Sequence, residues 1–90
     1  MNNTNQKFWT YELTAGSITI DKSFGLNALS ILLKSGTGTV LGSLTLQNGT
    51  ASTPINLEMG NPLTLGGVNG VPLDGVEIST TGVISIIGRQ

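Results

Sequence analysis

The stretch from Ser35 to Leu57, SGTGTVLGSLTLQNGTASTPINL, carries no charged residue and decides the fold class. Much of it alternates apolar with small polar residues, as in Leu44-Thr45-Leu46 and on into Ile55-Asn56-Leu57-Glu58-Met59. Successive side chains of a strand point to opposite faces, so a period of two gives each segment one apolar and one polar face. The apolar members are Val, Leu and Ile with Thr between them, which suits a pleated, half-buried surface. Asn48-Gly49 interrupts the run with the residues that supply the positive φ of a hairpin turn.

The same period extends outward in both directions. It appears in Ser17-Ile18-Thr19-Ile20, Leu29-Ser30-Ile31, Leu63-Thr64-Leu65 and Val76-Glu77-Ile78. Turn signals fall between the segments at Ala15-Gly16, Phe24-Gly25, Ser35-Gly36-Thr37-Gly38, Gly60-Asn61-Pro62, Gly66-Gly67, Asn69-Gly70, Asp74-Gly75 and Thr81-Gly82. The pattern predicts strands near 8–14, 17–21, 28–34, 39–47, 54–59, 62–66, 75–79 and 83–88. Leu26 to Lys34 is the one segment with a rival helical reading; its shortness and flanking glycines favour a strand. The expected fold is all-β: one small antiparallel β-sandwich, jelly-roll-like, or a partly open barrel of about seven to eight short strands. The expected organisation is a polar arm over 1–7 followed by one β-domain over 8–90.

Composition narrows the function. Ninety residues make one domain, and a domain of this size buries only about 60–65% of its unfolded surface. It has neither Cys nor His, so disulfide staples and the usual transition-metal sites are excluded, and oligomerisation is the remaining common support. Four Lys and Arg stand against five Asp and Glu. Lys7, Lys22, Lys34 and Arg89 are too scattered to form the basic stripe that phosphate neutralisation requires, so neither nucleic acid nor an anionic membrane surface is an expected partner. The polar start, Met1 to Lys7, is followed by no apolar run of signal-peptide kind.

No chemistry-bearing constellation emerges. Without His or Cys, Ser-His and Cys-His nucleophiles are impossible. The acids Glu12, Asp21, Glu58, Asp74 and Glu77 sit at strand ends or on polar strand faces and read as solubilising residues and turn formers. A convergent pair among Asp21, Asp74 and Glu77 is what an enzyme would need. No segment clusters the oxygen ligands of a calcium site. We therefore expect a protein that is not an enzyme and takes no cofactor.

The residues that stand out are interface residues. Phe8-Trp9-Thr10-Tyr11 holds three of the four aromatics. Trp9 and Tyr11 share one strand face, and Phe8 lies on the other. They read as anchors in a subunit contact or, less so, in the core, or as a sugar-stacking pair in a binding module. The neutral outward residues of the charge-free stretch, Ser43, Thr45 and Gln47, can be packed by a neighbour without desolvating charge. Val83 to Ile87 is apolar on both faces, as in a strand covered on both sides, within the domain or by a neighbour.

With its polar arm Met1 to Lys7, its aromatic entry Phe8 to Tyr11, its Gly- and Thr-rich strands from Ser17 to Leu65, and its ending Leu73 to Ile78 followed by Gly82 to Gly88, the chain resembles the small virion proteins of tailed bacteriophages. That group includes capsid-auxiliary (decoration) proteins, head-fibre proteins and tail or neck ring subunits. The resemblance implies a virion location, symmetric homo-oligomers, and docking on the major capsid protein or a neighbouring tail protein. A capsid decoration subunit is the leading expectation, because the chain is short and has no separate tip domain. A head-fibre or tail/neck ring subunit, or a carbohydrate- or receptor-binding β-module, is the alternative.

Overall fold

Val76–Arg89 is the strand on which the molecule is built. In a computed structural model, which describes residues 7–90, it is the longest strand and lies at the centre of the sheet. The others are β1 (Phe8–Ile20), β2 (Ala28–Ser35), β3 (Gly38–Gly42), β4 (Ile55–Asn56) and β5 (Leu63–Gly66), with Val76–Arg89 as β6. A single 3-10 turn, Lys22–Phe24, follows β1. Every strand pairing is antiparallel. One edge of β6 pairs with β1 along nearly its whole length. Its other edge pairs with β2 at Val83–Arg89 and with β3 at Val76–Thr80, end to end. Outside these, β5 pairs with β2 and β4 with β3. The fold class is the expected one: an all-β antiparallel sheet, here bent into an open half-barrel.

Register explains where the core lies. Leu13, Ile31 and Leu33 fall opposite Ile84 or Ile86, while Ile18 and Val40 fall opposite Ile78. All of these share the inner face with Leu63 and Leu65 of β5. Ile20, Ile31, Ile78, Ile84 and Ile86 have no exposed surface. Each such side chain contributes about 1.5–3 kcal/mol through removal from water. One end of the half-barrel is closed by Leu26 and Leu73, joined by the hydrogen bond from Leu73 N to Leu26 O at 2.7 Å. Leu26 packs onto Gly88, where a Cβ would lie 2.6 Å from Leu26 Cδ1.

Six strands replace the eight expected segments because two turn signals lie inside strands. Ala15-Gly16 is a bulge within β1, with the register shifting between Thr14 and Gly16. Ala15 has φ +42° and is the one non-glycine residue with positive φ among the described residues. Thr81-Gly82 is likewise an irregularity within β6. Positive φ and a missing Cβ serve a bulge as well as they serve a hairpin turn. The step from β2 to β3 at Gly36-Thr37 lies beside these positions, so three strands bend in one crease. Threonines stitch it: Thr81 N donates to Thr37 O at 3.0 Å, Thr37 N to Thr81 Oγ1 at 3.0 Å, and Thr80 Oγ1 to Thr37 O at 2.7 Å.

Three other boundaries differ from expectation. The strand expected over 39–47 ends at Gly42, because residues 43–54 leave the sheet as an arm. The one expected over 54–59 shortens to Ile55–Asn56. Leu26 to Lys34 resolves in favour of the strand, as β2. The polar arm expected over 1–7 lies outside the described residues except for Lys7, which is exposed.

Candidate interaction surface

The two groups of expected interface residues lie toward opposite ends of β6. Trp9 is opposite Gly88 and Tyr11 opposite Ile86, whereas Gly42, where the 43–54 arm departs, is opposite Val76. Ten to twelve positions of strand separate them, about 30–40 Å of extended chain before the bend is counted. They form two surfaces rather than one.

At the first surface, residues two apart on β1 share the inner face, as the sequence predicts. Trp9 stacks on Tyr11 with centroids 5.4 Å apart and planes 7° from parallel. Phe24 completes the row edge-on to Trp9 at 5.6 Å. Trp9 is half-buried; Tyr11 and Phe24 are exposed. Phe24 reaches this position through the 3-10 turn. Asp21 caps the turn, accepting hydrogen bonds from Ser23 N at 2.9 Å and from Ser23 Oγ. Gly25, at φ +68°, closes it with a bond from its N–H to Lys22 O. The Ser23 hydroxyl, then its backbone N–H, holds the Asp21 carboxyl below the ordinary value of 3.8. Phe8 lies on the outer face, 64% exposed, lining a shallow trough with Ile87, Ala28 and Arg89.

The second surface is the arm over residues 43–54. Its tip is the Asn48-Gly49 turn, with Gly49 N donating to Leu46 O and Leu46 N to Thr50 O, each at 2.9 Å. Thr50 N adds a bond to the Asn48 side chain at 3.0 Å, and Thr45 bridges Ala51 across the arm. Ser43, Thr45 and Gln47 are exposed, as expected. Leu44 and Leu46 are exposed too, at 70% and 54%. Sequence reasoning missed them because it kept this segment in the sheet, where alternate residues would be covered. Pro54 and the distance to the next alternating run, at Ile55, were the available signals that the arm stands off.

Within the chain, Val83 to Ile87 is fully covered on its inner face and only in part on its outer face. Ile84 and Ile86 are buried in the core, while Ile87 on the outer face is 48% exposed. Phe24, Leu44 and Leu46 are thus exposed apolar residues that the sequence reading did not single out as contacts, whereas Ile87 belongs to the run expected to be covered within the domain or by a neighbour.

The acids do not converge on a cavity. Asp21 and Asp74 approach the same turn, but Asp21 caps Ser23 and Asp74 Oδ1 accepts from Lys22 N at 3.1 Å. Glu77 is opposite Thr19, exposed on the outer face. Glu12 pairs with Lys34 at 3.6 Å, both side chains half or more exposed. Among the described residues no three acids are grouped to hold a metal ion, and no helix is long and apolar enough to cross a membrane.

Comparison with known proteins finds no relative: no family model matches the chain, and no curated protein or solved structure is similar to it.

Proposed function

We propose that the chain is a non-enzymatic structural subunit of a tailed-bacteriophage virion, a capsid-auxiliary protein that docks on the major capsid protein and packs against copies of itself. The observation that carries this reading is the pair of separate apolar surfaces, the aromatic row at one end of β6 and the arm with Leu44 and Leu46 at the other. Exposed apolar groups gathered in this way mark contact sites. A subunit that must touch both a shell and its own neighbours needs two such surfaces. The scarcity of charge helps, since Ser, Thr, Asn and Gly faces can be covered at low desolvation cost. Many weak contacts repeated over a lattice then hold firmly together.

The test is add-back. Purified protein mixed with particles that lack it should co-sediment with them and saturate at a fixed number of copies. Failure to bind intact particles would overturn the reading.

One observation favours a second reading, a carbohydrate-binding module: Tyr11 keeps exposed ring surface beside the half-buried Trp9. Saturable quenching of Trp9 fluorescence by glycans, without particle binding, would select it.

A further inference from the structure

We propose that the outer edge of β1 pairs antiparallel with β1 of a second copy, about a two-fold axis at Tyr11. Among the described residues β1 pairs only with β6, so a strand of 13 residues presents an unpaired row of backbone N–H and C=O groups. Such an edge is a template for another strand unless it is blunted by proline, lysine, brevity or a bulge. The opposite edge of the sheet is blunted in this way. There β4 has two residues and β5 four, Pro54 and Pro62 precede them, and Gly60 turns left-handed between them at φ +78°. From Phe8 to Thr14, β1 has no proline, lysine or bulge, and its one charge, Glu12, is paired with Lys34. The contrast disfavours a head-to-tail β1-to-β5 contact and leaves β1-to-β1.

The register follows from symmetry and charge. A two-fold axis relating antiparallel strands in one sheet stands perpendicular to it and sets one residue opposite its own copy. The bulge at Ala15 ends the regular segment, so the pairable run is Phe8 to Thr14. Tyr11 is its midpoint, and an axis there pairs all of it. Trp9 then meets Leu13 of the second copy, Thr10 meets Glu12, and the two Tyr11 rings meet on the axis. An axis at Glu12 would oppose two carboxylates, which is unfavourable. An axis at Thr10 would shorten the paired run. An axis of this kind keeps the apolar inner faces of both half-barrels on the same side.

This inference deepens the structural-subunit reading and rests on it for its biological purpose, but it fails separately. The chain has no cysteine, so single-cysteine variants report the register directly. Directly opposed residues lie at about 4.5–5.5 Å between Cα atoms, inside the span of a disulfide, whereas diagonal neighbours lie at about 7–8 Å. Under mild oxidation Tyr11→Cys should form a covalent dimer. Thr10→Cys and Glu12→Cys should each give no disulfide-linked dimer alone and should cross-link to each other when mixed. A disulfide-linked dimer from Thr10→Cys alone, or none from Tyr11→Cys with wild-type protein monomeric in sedimentation equilibrium, overturns the proposal.

A second arm does not depend on Tyr11→Cys folding. Thr10→Glu sets carboxylates against Glu12 twice per dimer and should weaken dimerisation about tenfold; Thr10→Lys should strengthen it. If neither variant changes the dissociation constant, the register is wrong. A chain that binds particles yet forms no β1 contact would sink the edge pairing alone. A β1 dimer that binds no particle would sink the virion reading alone.

Discussion

Gly36 and Gly82 lie back to back across the crease of the sheet, with the position of a Cβ on Gly36 only 2.7 Å from Gly82 N. The reverse contact is as close: a Cβ on Gly82 would lie 2.8 Å from Gly36 N and nearer still to the Ser35 carbonyl oxygen. The obstructing atoms are backbone, which cannot turn aside as a side chain can. The bend that gives the half-barrel its inner face therefore depends on two missing methyl groups.

Gly82→Ala and Gly36→Ala should each destabilise the protein by about 2–4 kcal/mol, with Gly36 also strained by its φ of +73°. Gly49→Asn is the control. Gly49 also has positive φ, but nothing lies within 4 Å of its Cβ position, and Asn tolerates that conformation. It should cost less than about 1 kcal/mol. Urea unfolding midpoints, with slopes checked for constancy, measure all three.

Ile84 and Ile78 sit at the two halves of the inner face and are fully buried. Ile84→Ala should cost about 2–5 kcal/mol and Ile78→Val about 0.5–1.5 kcal/mol. If the half-barrel is the cooperative unit, both variants should unfold in a single transition by circular dichroism and by Trp9 fluorescence.

Asp21 gives the acid limb of stability a defined sign. Its folded-state pKa is depressed, chiefly by the Ser23 hydroxyl. Its contribution is therefore fully present above the ordinary value of 3.8 and is lost as pH falls through the lower folded value. Asp21→Asn keeps an acceptor oxygen but no titration. Its stability should fall less than that of the wild type as pH drops from 5 to roughly 2. Identical acid limbs in thermal melts would contradict the cap.

The arm separates stability from binding. Leu44→Ser and Leu46→Ser remove exposed side chains, so stability should stay within about 0.5 kcal/mol of wild type. Particle co-sedimentation should fall sharply. A large loss of stability would mean that the arm is part of the core.

Much of this was legible in the sequence because strand alternation is local. The Ile18-Thr19-Ile20 and Val76-Glu77-Ile78 segments state their inward faces directly, and Trp9 and Tyr11 share a face by spacing alone. What could not be read was the role of Ala15-Gly16 and Thr81-Gly82. Turns and bulges draw on the same residues, and only long-range pairing decides between them. The sequence identified Ser43, Thr45 and Gln47 as outward, but not that Leu44 and Leu46 would be outward as well, because departure from the sheet depends on what the neighbouring strand can pair. The Phe24 contact with Trp9 depends on the turn at Asp21, which carries no alternation to announce it.

The central claim is that this chain is a repeated component of a virion. The most direct measurement is the protein inventory of particles purified on a density gradient from cells carrying its gene, with copy number relative to the major capsid protein. The account predicts the intact chain in the particle band, in a fixed ratio to the capsid subunit and resistant to salt washing. Its presence only in the soluble lysate, with particles complete and stable without it, would contradict the account.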